Sequence, residues 1–317
     1  MHVLHYILRK LASGVLLLLG VTFISFLFMV YFAPDPTYKI LGKNPTVEQV
    51  EQTRKDLCLD CPFFVRYGQY LRDLATLELG NSWSTGERVD GLMARTVPLS
   101  LELLAPGFVL GNALGLLLAM IAACYRGRWV DRLIMAACVA GMSVSFVIAI
   151  IAFQVVFSSS YGLDLFPVRG WNVTDLGSYV RYVTVPTLAT VFVTLGYNTR
   201  FYRAVLVEEL GRDHVRTARA FGASTSEVLA LHVLPNAAVP IVTRLIFSIP
   251  LVVIGGSLLI ESYFGIPGIG KATYEAIGAS DWPVLKAVVG LTPVLFVAAL
   301  TLADVLTNAF DPRLELR

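Results

Sequence analysis

The sequence predicts an all-α integral membrane protein with six transmembrane helices, both termini on the cytoplasmic side and a large external segment after the first helix. Three observations carry that reading. The 317 residues are 56% hydrophobic and 15% charged, with a mean hydropathy of +0.68, whereas soluble domains carry roughly 25% charged residues. Uncharged apolar runs recur: Leu11–Phe32, about 22 residues at 1.5 Å each, is about 33 Å long and covers a bilayer core. Arginine and lysine gather in alternate short connections, as the positive-inside rule requires. The net charge of +2 gives no case for nucleic acid.

Residues 1–32 form the N-terminal region and the first span. Arg9 and Lys10 precede it as they would a signal peptide. A cleavable apolar region has about 7–15 residues, so a retained anchor is expected. Residues 33–96 make the external segment. It opens on the turn Ala33-Pro34-Asp35-Pro36, holds a short amphipathic helix capped by Thr46, and turns again at Gly80-Asn81-Ser82-Trp83. Residues 97–306 read as one membrane unit with spans at Leu99–Ala123, Leu133–Phe157, Val239–Ile260 and Ala287–Leu306. A weaker span at Tyr182–Thr199 is diluted by threonines and Pro186, which neighbouring helices can tolerate. External connections follow at Ser158–Arg181 and Glu261–Pro283, both places for an outside partner to touch. Residues 307–317 close the chain as a cytoplasmic tail.

Orientation follows from the short connections. Arg126, Arg128 and Arg132 join the second span to the third, and Arg200, Arg203, Arg212, Arg216 and Arg219 follow the fourth. Both termini and residues 200–238 are therefore expected in the cytoplasm. Within 200–238 lies Arg216–Pro235, a polar elbow between apolar spans. Val215, Ala218 and Phe221 recur at helical spacing before Gly222, whose freedom from a Cβ allows a sharp corner. Ser224 and Glu227 form a Ser-x-x-Glu capping box before a second apolar run, and Pro235 is expected to stop that run. Such an elbow is a candidate dock for another protein.

Chemistry-bearing motifs are few. The sequence holds no G-x-x-x-x-G-K-[ST], no H-E-x-x-H and no G-x-S-x-G, so the chain is not expected to be an enzyme or to hold a metal. Cys58 and Cys61 form a C-x-x-C on the external side; a disulfide is the favoured reading in an oxidising compartment, with free thiols or a redox pair as alternatives. Cys124 and Cys138 read as small packing residues. Glu102 is the one acid within the apolar body of the second span; it lines a pathway or gate, or it snorkels to the interface. Gly111 and Gly115 suit close helix packing.

The elbow resembles the cytoplasmic EAA motif of ABC importer permeases, in which a glycine is followed after nine residues by I-x-L-P. Here Gly222 is followed after nine residues by His232-Val233-Leu234-Pro235, and Arg216-Thr217-Ala218 occupy the Glu-Ala-Ala positions. The run His214–Gly222 and His232–Ala237 is similar to the dipeptide/oligopeptide branch, with Phe221 where a lysine is common. Ala33–Pro36, Phe264–Gly270 and Asp311-Pro312-Arg313 look like that family's P-G-D-P, F-x-x-P-G-x-G and D-P-R.

The resemblance covers nearly the whole chain and implies the B-type membrane subunit of a type I importer for peptides or peptide-like solutes, in the bacterial inner membrane. It also implies a heterodimer with a second, C-type permease, two ABC ATPase subunits and an external substrate-binding protein. It gives Arg216, Thr217, Ala218, Arg219, Gly222, His232, Leu234 and Pro235 to an ATPase-coupling motif. Arg212, Arg216 and Arg219 would face acidic groups on the ATPase, or remain a solvated or lipid-facing basic surface. No cofactor is expected on this chain; ATP and Mg belong to the partner ATPases. The rival is a self-contained, ion-coupled secondary transporter, which would need intramembrane carboxylate pairs and usually inverted repeats.

Overall fold

The computed structural model describes the backbone of residues 2–42 and 44–310. The expected Asp311-Pro312-Arg313 motif lies outside the described residues. In chain order the helices are α1 (His2–Phe32), α2 (Thr37–Leu41), α3 (Val47–Asp56), α4 (Phe63–Thr76), α5 (Val89–Cys124), α6 (Trp129–Met142), α7 (Phe146–Ser158), α8 (Leu176–Glu209) and α9 (Asp213–Ala220). One helical path then runs from Thr225 to Phe264: α10 (Thr225–Glu227), a π-helical turn (Val228–Val233), α11 (Leu234–Leu251), a second π segment (Val252–Gly256) and α12 (Ser257–Phe264). Helices α13 (Ile269–Ala279) and α14 (Trp282–Phe310) complete the fold. Among the described residues no strand occurs, only an isolated bridge between Asn81 and Arg88.

Among the described residues four helical stretches are long and apolar enough to cross a membrane: Gly14–Phe32, Val89–Cys124, Thr225–Phe264 and Trp282–Asp304. The expected third span, Leu133–Phe157, is instead two helices, α6 and α7, bent by 95°. The break falls at Ser143–Ser145. The Ser143 hydroxyl donates to the Val139 carbonyl at 2.9 Å, and Ser145 takes an extended backbone (φ −61°, ψ 140°) before α7. A serine hydroxyl bonded back to the i−4 carbonyl, as at Ser143, competes in this way with the helix ladder. Counted as one bent span the pair makes five. The weak segment Tyr182–Thr199 lies inside α8, a 34-residue helix with Pro186 in it, which has the length of a span but not the apolarity.

The chain divides into two compact units. One joins the chain up to Ser100 with Pro267–Ala298; the other joins Leu101–Ile266 with the stretch from Ala299. In the first unit α4 folds back along α1. The Tyr67 hydroxyl donates to the Leu19 carbonyl at 3.0 Å, and Phe26 stacks on Tyr70 with centroids 5.5 Å apart. Leu19 lies 13 residues before the end of α1, about 20 Å along a helix, so much of α4 lies beside the first apolar span. In the second unit α5 meets α8 through glycines: a Cβ at Gly111 would sit 2.6 Å from Thr194 Oγ1, and one at Gly115 would sit 2.8 Å from Asn198 Cβ. Backbones can approach this closely only without those side chains. The Tyr202 hydroxyl fastens the same pair to Asn112 Oδ1 at 2.6 Å.

Candidate functional site

The elbow is built as the sequence chemistry requires, with one exception. Helix α9 ends at Ala220 with Phe221 as its cap, and Gly222 follows at φ +88°, a conformation L side chains rarely adopt. Its N–H donates to the Arg219 carbonyl at 2.9 Å and the Ala223 N–H to the Ala218 carbonyl at 3.2 Å, satisfying carbonyls that a helix end leaves open. Ser224 then restarts the chain. Its hydroxyl accepts from the Glu227 N–H at 3.3 Å, while the Glu227 carboxylate accepts from the Ser224 N–H at 2.8 Å, a reciprocal cap.

The exception is Pro235. Instead of stopping the second arm, it lies in the first turn of α11, which continues to Leu251. The turn before it has widened to a π-helix, and the Leu234 N–H bonds to the Leu229 carbonyl, five residues back. Proline clashes with the i−4 carbonyl in a regular α-helix; the extra residue per turn relieves that demand. The signal for this was nonlocal, since a lone proline after an apolar run normally marks an end.

The two arms have distinct faces. Val215, Val228, Leu229 and Val233 are buried against Tyr202 and Leu206 of α8 and Ala119 of α5. Of the expected motif, Ala218 and Leu234 turn toward this core, and Arg216, Thr217, Arg219, Gly222, His232 and Pro235 are exposed. Phe221 at the corner is 88% exposed and Leu231 on the second arm 68%. The arginines are not all free: Arg216 pairs with Asp213 at 3.3 Å, and Arg212 with Glu209 at 2.8 Å.

Sequence reasoning missed what holds the elbow's base. Glu209, nearly buried at the end of α8, receives Arg212 and lies 3.6 Å from His214 Nε2. One turn and a half earlier on α8, Arg203 forks onto Asp131 with two contacts of 2.6 Å, and Asp131 also accepts from the Gly127 N–H at 2.9 Å. Asp131 is 4% exposed. A two-pronged guanidinium–carboxylate contact fixes orientation as well as distance, so the turn before α6 is held to α8. Arg203 had signalled only cytoplasmic charge; its partner is 72 residues away.

The other expected residues lie elsewhere. Glu102 is exposed on α5, and its carbonyl accepts from the Tyr179 hydroxyl at 2.9 Å. Cys58 and Cys61 are bonded sulfur to sulfur, with Cα atoms 5.1 Å apart. Beside them Arg54 bridges Asp35 and Asp60 at 2.7 and 2.8 Å. The hydrogen bond from Arg54 holds the Asp60 carboxyl below its usual range. Among the described residues no group of three metal-ligating side chains gathers.

Comparison with known proteins decides the family. Residues 115–316 match the model of the binding-protein-dependent transport system inner membrane component, and residues 3–104 match that family's N-terminal model. The chain belongs to this family. A Brucella abortus protein named as a peptide transport system permease is 34% identical to it over 98% of both chains. The dipeptide transport system permease of Lactococcus lactis is 32% identical over 98% of this permease and 99% of its own length. The glutathione transport system permease of Escherichia coli K12 is 29% identical over the same shares. In fold, the permease resembles a chain of the MetNI methionine ABC transporter, with a TM-score of 0.56 at 18% identity, covering 69% of this chain and 96% of that one.

Proposed function

We propose that the chain is the membrane permease subunit of an ABC importer that moves di- or oligopeptides, or peptide-like solutes, across the bacterial inner membrane. ATP hydrolysis takes place on two partner ATPase subunits, which hold the ATP and Mg. The permease pairs with a second, C-type permease and receives solute from an external binding protein. Six spans complete the arrangement: the four long apolar stretches, the bent α6–α7 pair and α8, with both termini cytoplasmic. That count is supported by the length of α8 and by arginines in alternate connections.

The observation that carries this reading is the elbow at Gly222. Two short arms meet at a positive-φ glycine, bury one face on α8 and α5, and leave Arg219, Phe221, Leu231 and His232 exposed. A rigid knob of this form transmits a push. When nucleotide draws the ATPases together, Arg216, Thr217, Ala218, Arg219, Gly222, His232, Leu234 and Pro235 move as one lever. Nucleotide and loaded binding protein then favour the same permease conformation, which is what coupling requires. Glu102 faces the solute pathway or gate in this scheme, and the Cys58–Cys61 pair is oxidised and braces the external segment.

Proteoliposomes containing both permeases and the external binding protein, with and without the ATPases, test the proposal. Uptake of a labelled peptide is expected only with ATPases and ATP. Accumulation by this chain alone under an ion gradient would overturn it.

A further inference from the structure

An apolar slot of about 370 Å³ lies in the first unit, between α1, α4, the start of α5 and α14. Leu18, Leu71, Leu74, Leu291 and Val294 line it together with Gly290. Its size is within the range of small-ligand sites, and the lining is apolar throughout. Gly290 makes room: a Cβ there would collide with the Leu74 side chain. An apolar cavity of this size takes up apolar matter when it can, because its walls otherwise lack contacts on one side.

Two cations stand at one end of it. On α4, Arg66, Tyr70 and Leu74 follow at i, i+4 and i+8; on α14, Lys286, Gly290 and Val294 do the same. Residues so spaced lie in line along one helix face. Each line therefore runs from a positive charge into the slot over about 12 Å. The Arg66 guanidinium is 5.4 Å from the Trp282 ring and 6.0 Å from Phe26, and the Lys286 ammonium is 5.8 Å from both Phe26 and Tyr70. The Tyr70 hydroxyl donates to the Lys286 carbonyl at 3.0 Å and fixes the two lines together. Neither cation makes an ion pair among the described residues. Aromatic rings around cations beside an apolar span are the composition of a membrane interface.

We propose that this slot binds one acyl chain of an anionic phospholipid, with its phosphate against Arg66 and Lys286. A paired positive end over an apolar channel is complementary to an anionic head on a hydrocarbon tail, and α1 and α14 are themselves apolar spans whose solvent is lipid. The site needs the chain to be in a membrane but does not depend on what solute it carries.

Native mass spectrometry of the purified importer, stripped of lipid and titrated with dioleoyl phosphatidylglycerol or dioleoyl phosphatidylcholine, tests this. Preferential retention of phosphatidylglycerol is expected. Arg66→Gln and Lys286→Gln should each reduce that preference about five-fold, Lys286→Arg should keep it, and Ala75→Trp at the slot's edge should remove the adduct. Equal retention of the two lipids, or an adduct unchanged by Ala75→Trp, overturns the proposal. So does a photo-crosslinker at Leu291 that captures the second permease instead of lipid. Peptide uptake is not the readout, so failure here leaves the transport reading standing.

Discussion

The elbow around Gly222 and the anchor around Asp281 use polar residues in opposite ways. At the elbow Arg216, Arg219 and His232 are exposed, and the buried face is hydrocarbon. At the anchor, Asp281 is 1% exposed and accepts four hydrogen bonds: from the hydroxyls of Ser82 and Ser84, and from the N–H groups of Trp83 at 3.1 Å and Ser84 at 3.1 Å. Trp83 stacks beside Trp282, with centroids 6.1 Å apart. The anchor is closed on itself, since a buried carboxylate with its lone pairs filled offers nothing to a partner. At the elbow Arg219 and His232 are exposed instead, while Arg216 is held at the surface by Asp213 at 3.3 Å. In the proposed coupling role these exposed groups are the ones a partner would meet, whereas Asp281 only fastens the fold.

Gly222→Val breaks the comparison most severely. A β-branched residue at φ +88° is strained by more than the roughly 1–2 kcal/mol that an ordinary L-residue meets in the left-handed region. Nothing lies within 4 Å of a Cβ there, so the effect is conformational rather than a clash. Loss of ATP-driven uptake by tenfold or more is expected, with unchanged membrane insertion and persistent ATPase activity. Wild-type uptake by this variant would show that the corner is not a lever.

Legibility followed sequence distance. The glycine corner and the Ser224–Glu227 cap were readable because their parts lie within a few residues. The bend at Ser143–Ser145 was not, since two small hydroxyls inside an apolar run do not interrupt hydropathy. Pro235 misled because the π turn that accommodates it depends on packing of Val228, Leu229 and Val233 against α8. The fasteners were invisible: Asp131 meets a residue 72 positions on, and Asp281 residues 197–199 positions back. Their charge was apparent, but not their partners.

Asp131→Ala tests the fastener behind the elbow. It leaves Arg203 without its forked partner; removing one partner of a fully buried pair costs about 3–5 kcal/mol, and less is expected here because Arg203 stays partly exposed. A lowered unfolding temperature in detergent is expected, together with weakened coupling, because α8 carries the buried face of the elbow. The double variant Asp131→Ala/Arg203→Leu should recover much of the stability. If the single variant unfolds at the wild-type temperature, the pair is not what steadies the base.

Asp281→Asn is the subtler change and bears on the Asp281 anchor. Burial pushes this carboxyl upward, but the hydrogen bonds from Ser82, Ser84 and Trp83 outweigh that, and it titrates below the usual carboxylate range. A carboxylate depressed on folding contributes stability that is fully present above the unfolded value near 3.9 and is lost as pH falls through the lower folded value. The anchor should therefore hold unchanged from neutral pH to about 4 and weaken only in stronger acid. Asparagine keeps the shape and can leave its oxygen toward Ser82 and Ser84, but its NH2 then opposes the Trp83 N–H that one carboxylate oxygen accepts, a loss of about 1–3 kcal/mol. Hydrogen exchange at the Trp83 and Ser84 amides reads it directly: faster exchange in the variant at pH 7, and no difference between pH 7 and pH 5 in the wild type beyond intrinsic rates. Protection lost in the wild type between pH 7 and pH 5 would mean that the carboxyl is raised rather than lowered, and that the fastening is weaker than its geometry implies.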